Sequence, residues 1–124
     1  ITVLMFLQED ARFMTTSQAL FSEVADRLLG IEIEMRRIDV WSSEAPSDDA
    51  LSSQQPFCID TLEFTEWLQF VFLERMRMIV EQGHSLPGAS GIAPMAEEYF
   101  RARPESGDGL VRELEAIDEL LSGS

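Results

Sequence analysis

The chain has 124 residues, which is the size of one domain that buries a hydrophobic core without disulfides or metals. Its 23 acidic residues outnumber its 9 basic residues, all of them Arg, and the formal net charge is −14. A charge of this sign repels phosphate backbones and anionic lipids. Direct binding to nucleic acid or to a membrane is therefore disfavoured, and a partner protein with a basic surface is favoured.

The start of the sequence raises the question of where the helical domain begins. Residue 1 is Ile, whereas Met14 is followed by two Thr, one Ser and then a clear helical pattern. We therefore expect Met14 to be the natural first residue, residues 1–13 to be an upstream or added extension, and the helical domain to cover residues 14–124. The alternative is that residues 1–13 form a genuine first segment of the fold.

A first amphipathic helix is predicted over residues 17–40, with Ser17 as its N-cap. Its apolar residues recur at spacings of three and four, which places them on one helical face. The residues of this face are Phe21, Val24, Leu28, Ile31, Met35 and Ile38. Gly30 is expected to let a neighbouring helix approach closely. Residues 42–55, rich in Ser and Asp, are predicted to form a mobile loop.

A second helix is predicted over residues 63–82, with Asp60 or Thr61 near its cap. Acidic residues in its first turn and Arg residues further on complement the helix dipole, and Gly83 is a stop signal. Its wide apolar face places this helix at the centre of the core. That face comprises Trp67, Leu68, Phe70, Val71, Phe72, Met76, Ile79 and Val80.

Two shorter helices complete the predicted fold. The third covers residues 94–103, with Pro94 in its first turn and Met95, Tyr99 and Phe100 facing inward. The fourth covers residues 110–121. Its apolar stripe consists of Leu110, Leu114, Ile117 and Leu121. With no strand-like alternation and no internal repeat, the pattern predicts an all-α fold, a single compact four-helix bundle with long irregular links.

Most of the chain from Met14 on resembles a known family of small bacterial proteins, most clearly across Gln54–Phe100 and more weakly in the terminal helices. The fragments that carry this resemblance are Gln55-Pro56-Phe57, Asp60-Thr61-Leu62, Glu66-Trp67-Leu68-Gln69, Val71-Phe72, Arg75-Met76, Leu86-Pro87, Ile92-Ala93-Pro94 and Glu97-Glu98. In order and spacing they are similar to the YqcC-like family, although Phe70 stands where members often have Trp and Glu74 where Pro is common. The resemblance implies a compact helical domain from a Gram-negative bacterium, often encoded beside a tRNA pseudouridine synthase.

Few side chains are of the types that carry catalysis. Cys58 is the only cysteine, which excludes an internal disulfide and a thiolate cluster and suits a reducing cytoplasm. The only histidine, His84, follows a helix stop and has no identifiable nucleophile beside it. The common nucleotide-binding, hydrolase and metalloprotease motifs are missing from the sequence. We therefore expect no catalytic residue, no cofactor and no metal, and a cytoplasmic location.

The acidic residues around the second helix have two interpretations. Helix capping and dipole compensation explain them most simply. The alternative is a small cation-dependent enzyme in which Asp60, Glu63, Glu97 and Glu98 supply the oxygen ligands.

Arg75 lies in a mostly apolar helix and is a candidate for a structural ion pair. Its expected partners are Asp60, Glu97 and Glu98. A buried charge that loses its partner is costly, so Arg75→Met is expected to destabilise the fold more than Arg77→Met.

The leading interpretation is a non-enzymatic protein–protein interaction module that works alongside a tRNA-modifying enzyme. Residues on irregular links and at helix starts are the ones that loops can present to a partner. The candidate partner-binding residues are Gln55, Pro56, Phe57, Trp67, Leu86, Pro87 and Pro94. A third possibility, an inhibitor that mimics phosphate and binds a basic nucleic-acid-binding protein, is the least favoured. Such an inhibitor needs its acidic residues in a dense stripe, and here they are scattered along the chain. The sequence leaves the oligomeric state open.

Overall fold

A computed structural model of the chain describes residues 2–88, 91–103 and 106–122, with side chains from Gln18 onward. All regular structure within these ranges is helical, so the predicted all-α class is confirmed. The helices are α1 (Thr2–Arg37), α2 (Asp48–Leu51), α3 (the consecutive segments Phe64–Trp67, Leu68–Phe72 and Leu73–Gln82), α4 (Ile92–Arg101) and α5 (Asp108–Ser122). A 3₁₀ turn, Pro56–Cys58, lies between α2 and α3. None of the described helices is both long enough and apolar enough to cross a membrane.

Helix α1 is longer than the sequence pattern indicated. It begins at Thr2 rather than near Ser17, since residues 2–16 contain no Gly or Pro that would end a helix, and it stops at Arg37 rather than near Val40. The chain leaves the helix through Asp39, whose φ of 64° is left-handed. The expected extension, residues 1–13, therefore continues α1 from Thr2 on, and its side chains lie outside the described residues.

The core face of α1 is the one that the spacing predicted. Val24, Leu28, Ile31 and Met35 are buried, and Phe21 and Ile38 at the two ends are half-buried. The apolar stripe of α5 packs against this face, with its four predicted residues all buried. At Gly30 the carboxylate of Glu113 from α5 fills the space that a Cβ would occupy, so the nearest atoms belong to a side chain of the neighbouring helix.

Helix α3 has a different cap and a different interior from those expected. Its N-cap is Glu63, whose backbone N–H donates to Glu66 Oε1 at 2.9 Å in a capping box, and not Asp60 or Thr61. The segment Leu68–Phe72 forms a π turn, in which Leu73 N–H donates to the carbonyl of Leu68. The helix ends, as predicted, at Gly83, whose φ is 67°.

The link between α1 and α3 is held by hydrogen bonds to α3 and within the link itself. Both ends of the Gln69 side-chain amide bond the backbone of Ser42. The hydroxyl of Thr61 donates to the carbonyl of Ala50 at 2.7 Å, which fixes α2 to the turn that precedes α3. The predicted loop over residues 42–55 thus contains a short helix, α2, capped by Ser47.

Helix α4 starts two residues earlier than predicted because its first amides are capped from another helix. The carboxylate of Asp118 on α5 accepts from Ile92 N–H at 3.2 Å and from Ala93 N–H at 2.9 Å. The helix turns its small and aliphatic residues and Phe100 to the core. The buried residues are Ile92, Ala93, Ala96 and Phe100. Met95 and Tyr99, expected to face inward, are only half-buried and lie at the side of the helix.

Candidate functional site

The turn that leads into α3 has an unusual backbone. Phe57 and Cys58 are consecutive residues with left-handed φ values of 59° and 52°. Each such non-glycine residue costs about 1–2 kcal/mol. Two backbone bonds hold the turn in this shape, from Cys58 N–H to Gln55 at 3.0 Å and from Leu62 N–H to Cys58 at 2.8 Å. The result is that Cys58 is buried and the next residue, Ile59, is 71% exposed.

An open groove of about 380 Å³ lies between this turn and helix α4. Its walls are mainly apolar and aromatic, and three charged residues stand at its rim. The lining residues are Phe57, Ile59, Leu62, Glu63, Phe64, Met95, Glu98, Tyr99 and Arg103. An apolar concavity with a few polar groups at its edge is the usual form of a binding site. We name it the 57–103 groove.

An aromatic cluster supports the floor of the 57–103 groove. The Phe57 ring meets Trp67 edge-on at a centroid distance of 4.9 Å, and Phe64 lies 6.2 Å from the same Trp67 ring. Phe64 also contacts Tyr99 at 5.6 Å, which joins the turn to α4. Trp67 itself is only 8% exposed and packs on Phe72 beneath. The exposed side of the groove therefore rests on rings that are fixed by the core.

The polar rim of the groove is organised around Tyr99. The Arg103 guanidinium lies 3.9 Å from the centroid of the Tyr99 ring and pairs with Glu63 at 3.1 Å. Burial raises the pKa of the Tyr99 phenol, the hydrogen bond with Thr65 and the charge of Arg103 lower it, and Glu63 raises it. The phenol therefore stays protonated at neutral pH, and its hydrogen bonds with Thr65 and Glu63 hold it at the edge of an apolar surface.

The structure places the seven predicted partner-binding residues in different surroundings. Phe57 lines the groove, and Gln55 and Pro56 are exposed in the same turn. Trp67 is buried under the groove, so its ring is part of the core. Leu86 is half-buried against the core, while Pro87 and Pro94 are exposed outside the set of groove-lining residues. The binding role of this set stays a prediction.

The expected ion pair of Arg75 is not found among the described residues, where Arg75 is exposed and forms no ion pair. Asp60 accepts from the Ser53 hydroxyl, and Glu98 pairs with Arg101 within α4. The arginine of α3 that bridges two helices is Arg77, whose Nη2 lies 2.6 Å from Glu32 Oε1 on α1. Arg75 lies on the side of α3 that faces solvent, so its guanidinium meets water instead of the carboxylates named.

The carboxylates predicted for the alternative cation site bond to other side chains and do not converge on one point. Glu63 and Glu98 both line the groove, but each pairs with an arginine, and Asp60 bonds Ser53. Within the described ranges no three His, Cys, Asp or Glu side chains are grouped to hold a metal ion. The Cys58 thiol is buried, whereas the His84 ring is exposed and bonds Gln82 at 2.7 Å.

Several residues of the groove were missed at the level of sequence. The spacing of apolar and polar residues does not distinguish a groove wall from a core face or a polar surface. It therefore gave no indication of Ile59, Phe64 or Arg103. The one usable signal was the position of Ile59, an aliphatic residue inside a proline-led turn and outside every helical stripe.

Fold and groove together define a small helical bundle with an open, mainly apolar groove, and comparisons with known proteins place it in a family. A family model described as tRNA pseudouridine synthase C, DUF446, matches residues 23–120. An uncharacterised protein of Haemophilus influenzae is 33% identical over 103 residues, which are 83% of this chain and 96% of that protein. The uncharacterised protein YqcC of Escherichia coli K12 is 32% identical over 96 residues, 77% of this chain and 88% of YqcC.

The solved structures lead to the same family. The solution NMR structure of Escherichia coli YqcC superposes with a TM-score of 0.73 at 32% identity, covering 83% of this chain and 88% of YqcC. The chain therefore belongs to the YqcC-like family. A further relative, tRNA pseudouridine synthase C of Pectobacterium carotovorum, is 36% identical over 66 residues, which are 53% of this chain but only 18% of that protein.

Proposed function

We propose that the chain is a non-enzymatic interaction module that binds a tRNA pseudouridine synthase. The observation that carries this proposal is the match to the Pectobacterium protein named tRNA pseudouridine synthase C. A segment similar to half of this chain lies within a much longer polypeptide of that name, of which it makes up 18%. The relative YqcC of Escherichia coli, 88% of which matches this chain, is by contrast a protein of its own. A domain that is joined to a larger protein in one species and separate in another is a candidate partner of that larger protein.

The electrostatics of the chain favour contact with the enzyme rather than with its RNA substrate. The net charge of −14 repels the phosphate backbone of tRNA, which itself attracts basic protein surfaces. A synthase that binds tRNA needs such a basic surface, and this chain is complementary to it. The module would then act on the enzyme by stabilising it, or by covering part of its basic surface until tRNA displaces the module.

Co-purification tests the proposal directly. The untagged synthase of the same bacterium is expressed together with the tagged chain and analysed by size-exclusion chromatography with light scattering. We expect a complex with a dissociation constant in the micromolar range or tighter, which corresponds to about −8 kcal/mol. We also expect the chain alone to form no pseudouridine in a tRNA transcript.

Two results would overturn the proposal. One is separate elution of the two proteins at concentrations of about 10 µM and at low salt, where electrostatic attraction is strongest. The other is pseudouridine formation by the chain without the synthase, since this would make it an enzyme.

A further inference from the structure

Resting on the proposed function, we infer that the 57–103 groove is the surface that holds the synthase, and that its occupant is a basic segment anchored by one large apolar side chain. The occupant is named by chemistry, and three features of the groove determine that chemistry: its exposed apolar wall, its rigid aromatic support and its acidic rim.

The apolar wall is formed by side chains that water contacts in the free protein. Ile59 is 71% exposed, the largest value among the exposed large hydrophobic residues of the described chain. Phe57, Phe64, Met95 and Tyr99 are half-buried around it. Covering such a surface with an aliphatic or aromatic side chain removes apolar area from water on both partners.

The size and rigidity of the groove suit a short segment. A volume of about 380 Å³ lies at the lower end of pockets that hold small ligands, about 300–1,000 Å³, so it suits one or two large side chains of a partner. Phe57 is fixed edge-on against the buried ring of Trp67, and Phe64 is held between Trp67 and Tyr99. A wall that is already ordered loses little entropy when a partner binds.

The rim gives the occupant its charge. Glu63 and Glu98 line the groove with Arg103, Glu98 is also paired with Arg101, and Asp60 directly follows Ile59 in the chain, so three acidic residues face two arginines. The ion pairs of Glu63 and Glu98 are exposed, with both partners more than 40% exposed in side-chain area, so each is weak enough to exchange for a Lys or Arg of the partner. With the net charge of −14 behind them, these carboxylates attract basic residues on either side of the apolar anchor.

A second exposed apolar face allows a matched control. Leu29 and Ile33 on α1 are 56% and 54% exposed, and Met78 on α3 is 56% exposed. Leu29 also lines a smaller cavity, of about 260 Å³, whose six lining residues include no aromatic ring: Ala25, Leu28, Leu29, Arg77, Val80 and Glu81. The proposal places the synthase on the groove and not on this face.

Calorimetric titration of purified synthase with three forms of the full chain tests the inference. The forms are the wild type, Ile59→Asp and Ile33→Asp, each checked by circular dichroism and thermal melting. We expect Ile59→Asp to weaken binding about tenfold or more while its melting curve stays that of the wild type, because Ile59 is an exposed side chain. Ile33→Asp should remain within about twofold of the wild type, and wild-type affinity should fall as salt is raised.

The outcomes separate this inference from the proposed function. If the wild type binds and Ile59→Asp binds equally well, the groove is not the docking surface, although the proposed function stands. A loss of binding in Ile33→Asp alone would move the site to the α1–α3 face and overturn the inference. If sedimentation shows that Ile59→Asp dissociates a homodimer, the groove holds a second copy of the chain. If the wild type does not bind the synthase, the proposed function is wrong, and the inference that rests on it is wrong as well.

Discussion

Gln69 on α3 bonds the backbone of Ser42 through both ends of its side-chain amide, as a neighbouring strand would. Its Oε1 accepts from Ser42 N–H and its Nε2 donates to the Ser42 carbonyl, both at 2.8 Å. Gln69 is 5% exposed and lies inside the π turn of α3. The bonds join the start of the α1–α3 link to the central helix, which explains a buried polar residue between Leu68 and Phe72.

Replacing Gln69 by Leu is expected to be strongly destabilising. The Ser42 N–H and carbonyl would lose their partners in a half-buried position, and each unsatisfied group costs about 1–3 kcal/mol. We expect Gln69→Leu to lower the free energy of unfolding by about 2 kcal/mol or more in urea titrations. The matched control Gln54→Leu, at an exposed link position, should change it by less than about 0.5 kcal/mol. Similar effects of the two variants would show that the Gln69–Ser42 bonds add nothing to stability.

Replacing Arg77 is expected to destabilise the fold more than replacing Arg75, which is the reverse of the order predicted from the sequence. Arg77 pairs with Glu32 on α1 and with Glu74, whereas Arg75 is exposed and has no ion pair within the described chain. Arg77→Met should cost about 0.5–1 kcal/mol, because the pair is partly exposed, and Arg75→Met should be near neutral. Thermal melting of the two variants measures the difference.

Salt provides the internal check on the arginine comparison. If the Arg77–Glu32 attraction is the cause, the difference between the two variants should shrink at about 1 M NaCl, where the screening length is about 3 Å. A difference that persists unchanged in salt would assign the effect to packing of the Arg77 stem, and a larger loss in Arg75→Met would contradict the observed pairing.

The cap of α4 should be sensitive to one carboxylate. Asp118 accepts from the N–H groups of Ile92 and Ala93, two of the amides that have no partner within the helix. We expect Asp118→Ala to lower the free energy of unfolding by about 1–2 kcal/mol and to speed hydrogen exchange in the first turn of α4. Its exposed neighbour Glu119 provides the control, and equal effects of Asp118→Ala and Glu119→Ala would rule out the capping role.

The only tyrosine of the chain, Tyr99, gives a clean optical titration. Burial raises its pKa above the ordinary value of 10.0, so the phenolate absorbance should develop at a higher pH than in a free peptide. Because the folded-state pKa is the higher one, the stability contributed by this group is present below about pH 10 and is lost as the pH rises further. Arg103→Met should move the transition higher still, since Arg103 lowers the pKa. A transition at or below that of the free peptide would contradict the half-buried position of the ring.

The bundle could be predicted from the sequence, and the groove could not. The stripes of α1 and α5 consist of residues that are apolar at spacings of three and four, and such a stripe has one stable solution, which is burial against another helix. The groove depends on two consecutive residues with left-handed φ values, Phe57 and Cys58. Neither is Gly, Asn or Asp, the residue types that commonly adopt this conformation, so the sequence does not predict it. The choice between Arg75 and Arg77 likewise depends on where α1 lies around α3, which the sequence of α3 alone does not specify.

The fragments that carry the family resemblance are largely architectural. In Glu66-Trp67-Leu68-Gln69, the first residue closes the capping box, the next two are core residues and the last bonds Ser42. A sequence motif of this kind identifies the fold reliably, while the exposed residue Ile59 lies between the fragments. This explains why the family could be named from the sequence when the 57–103 groove could not be located.

Hydrogen exchange measured by mass spectrometry, on the chain with and without the tRNA pseudouridine synthase of the same bacterium, tests the central claim most directly. The claim is that this family member docks its enzyme through the 57–103 groove. We predict that synthase slows exchange in residues 56–64 and 92–103 and leaves the middle of α1 unchanged. Protection confined to the α1–α3 face around Leu29 and Ile33, or no protection at a saturating synthase concentration, would contradict it.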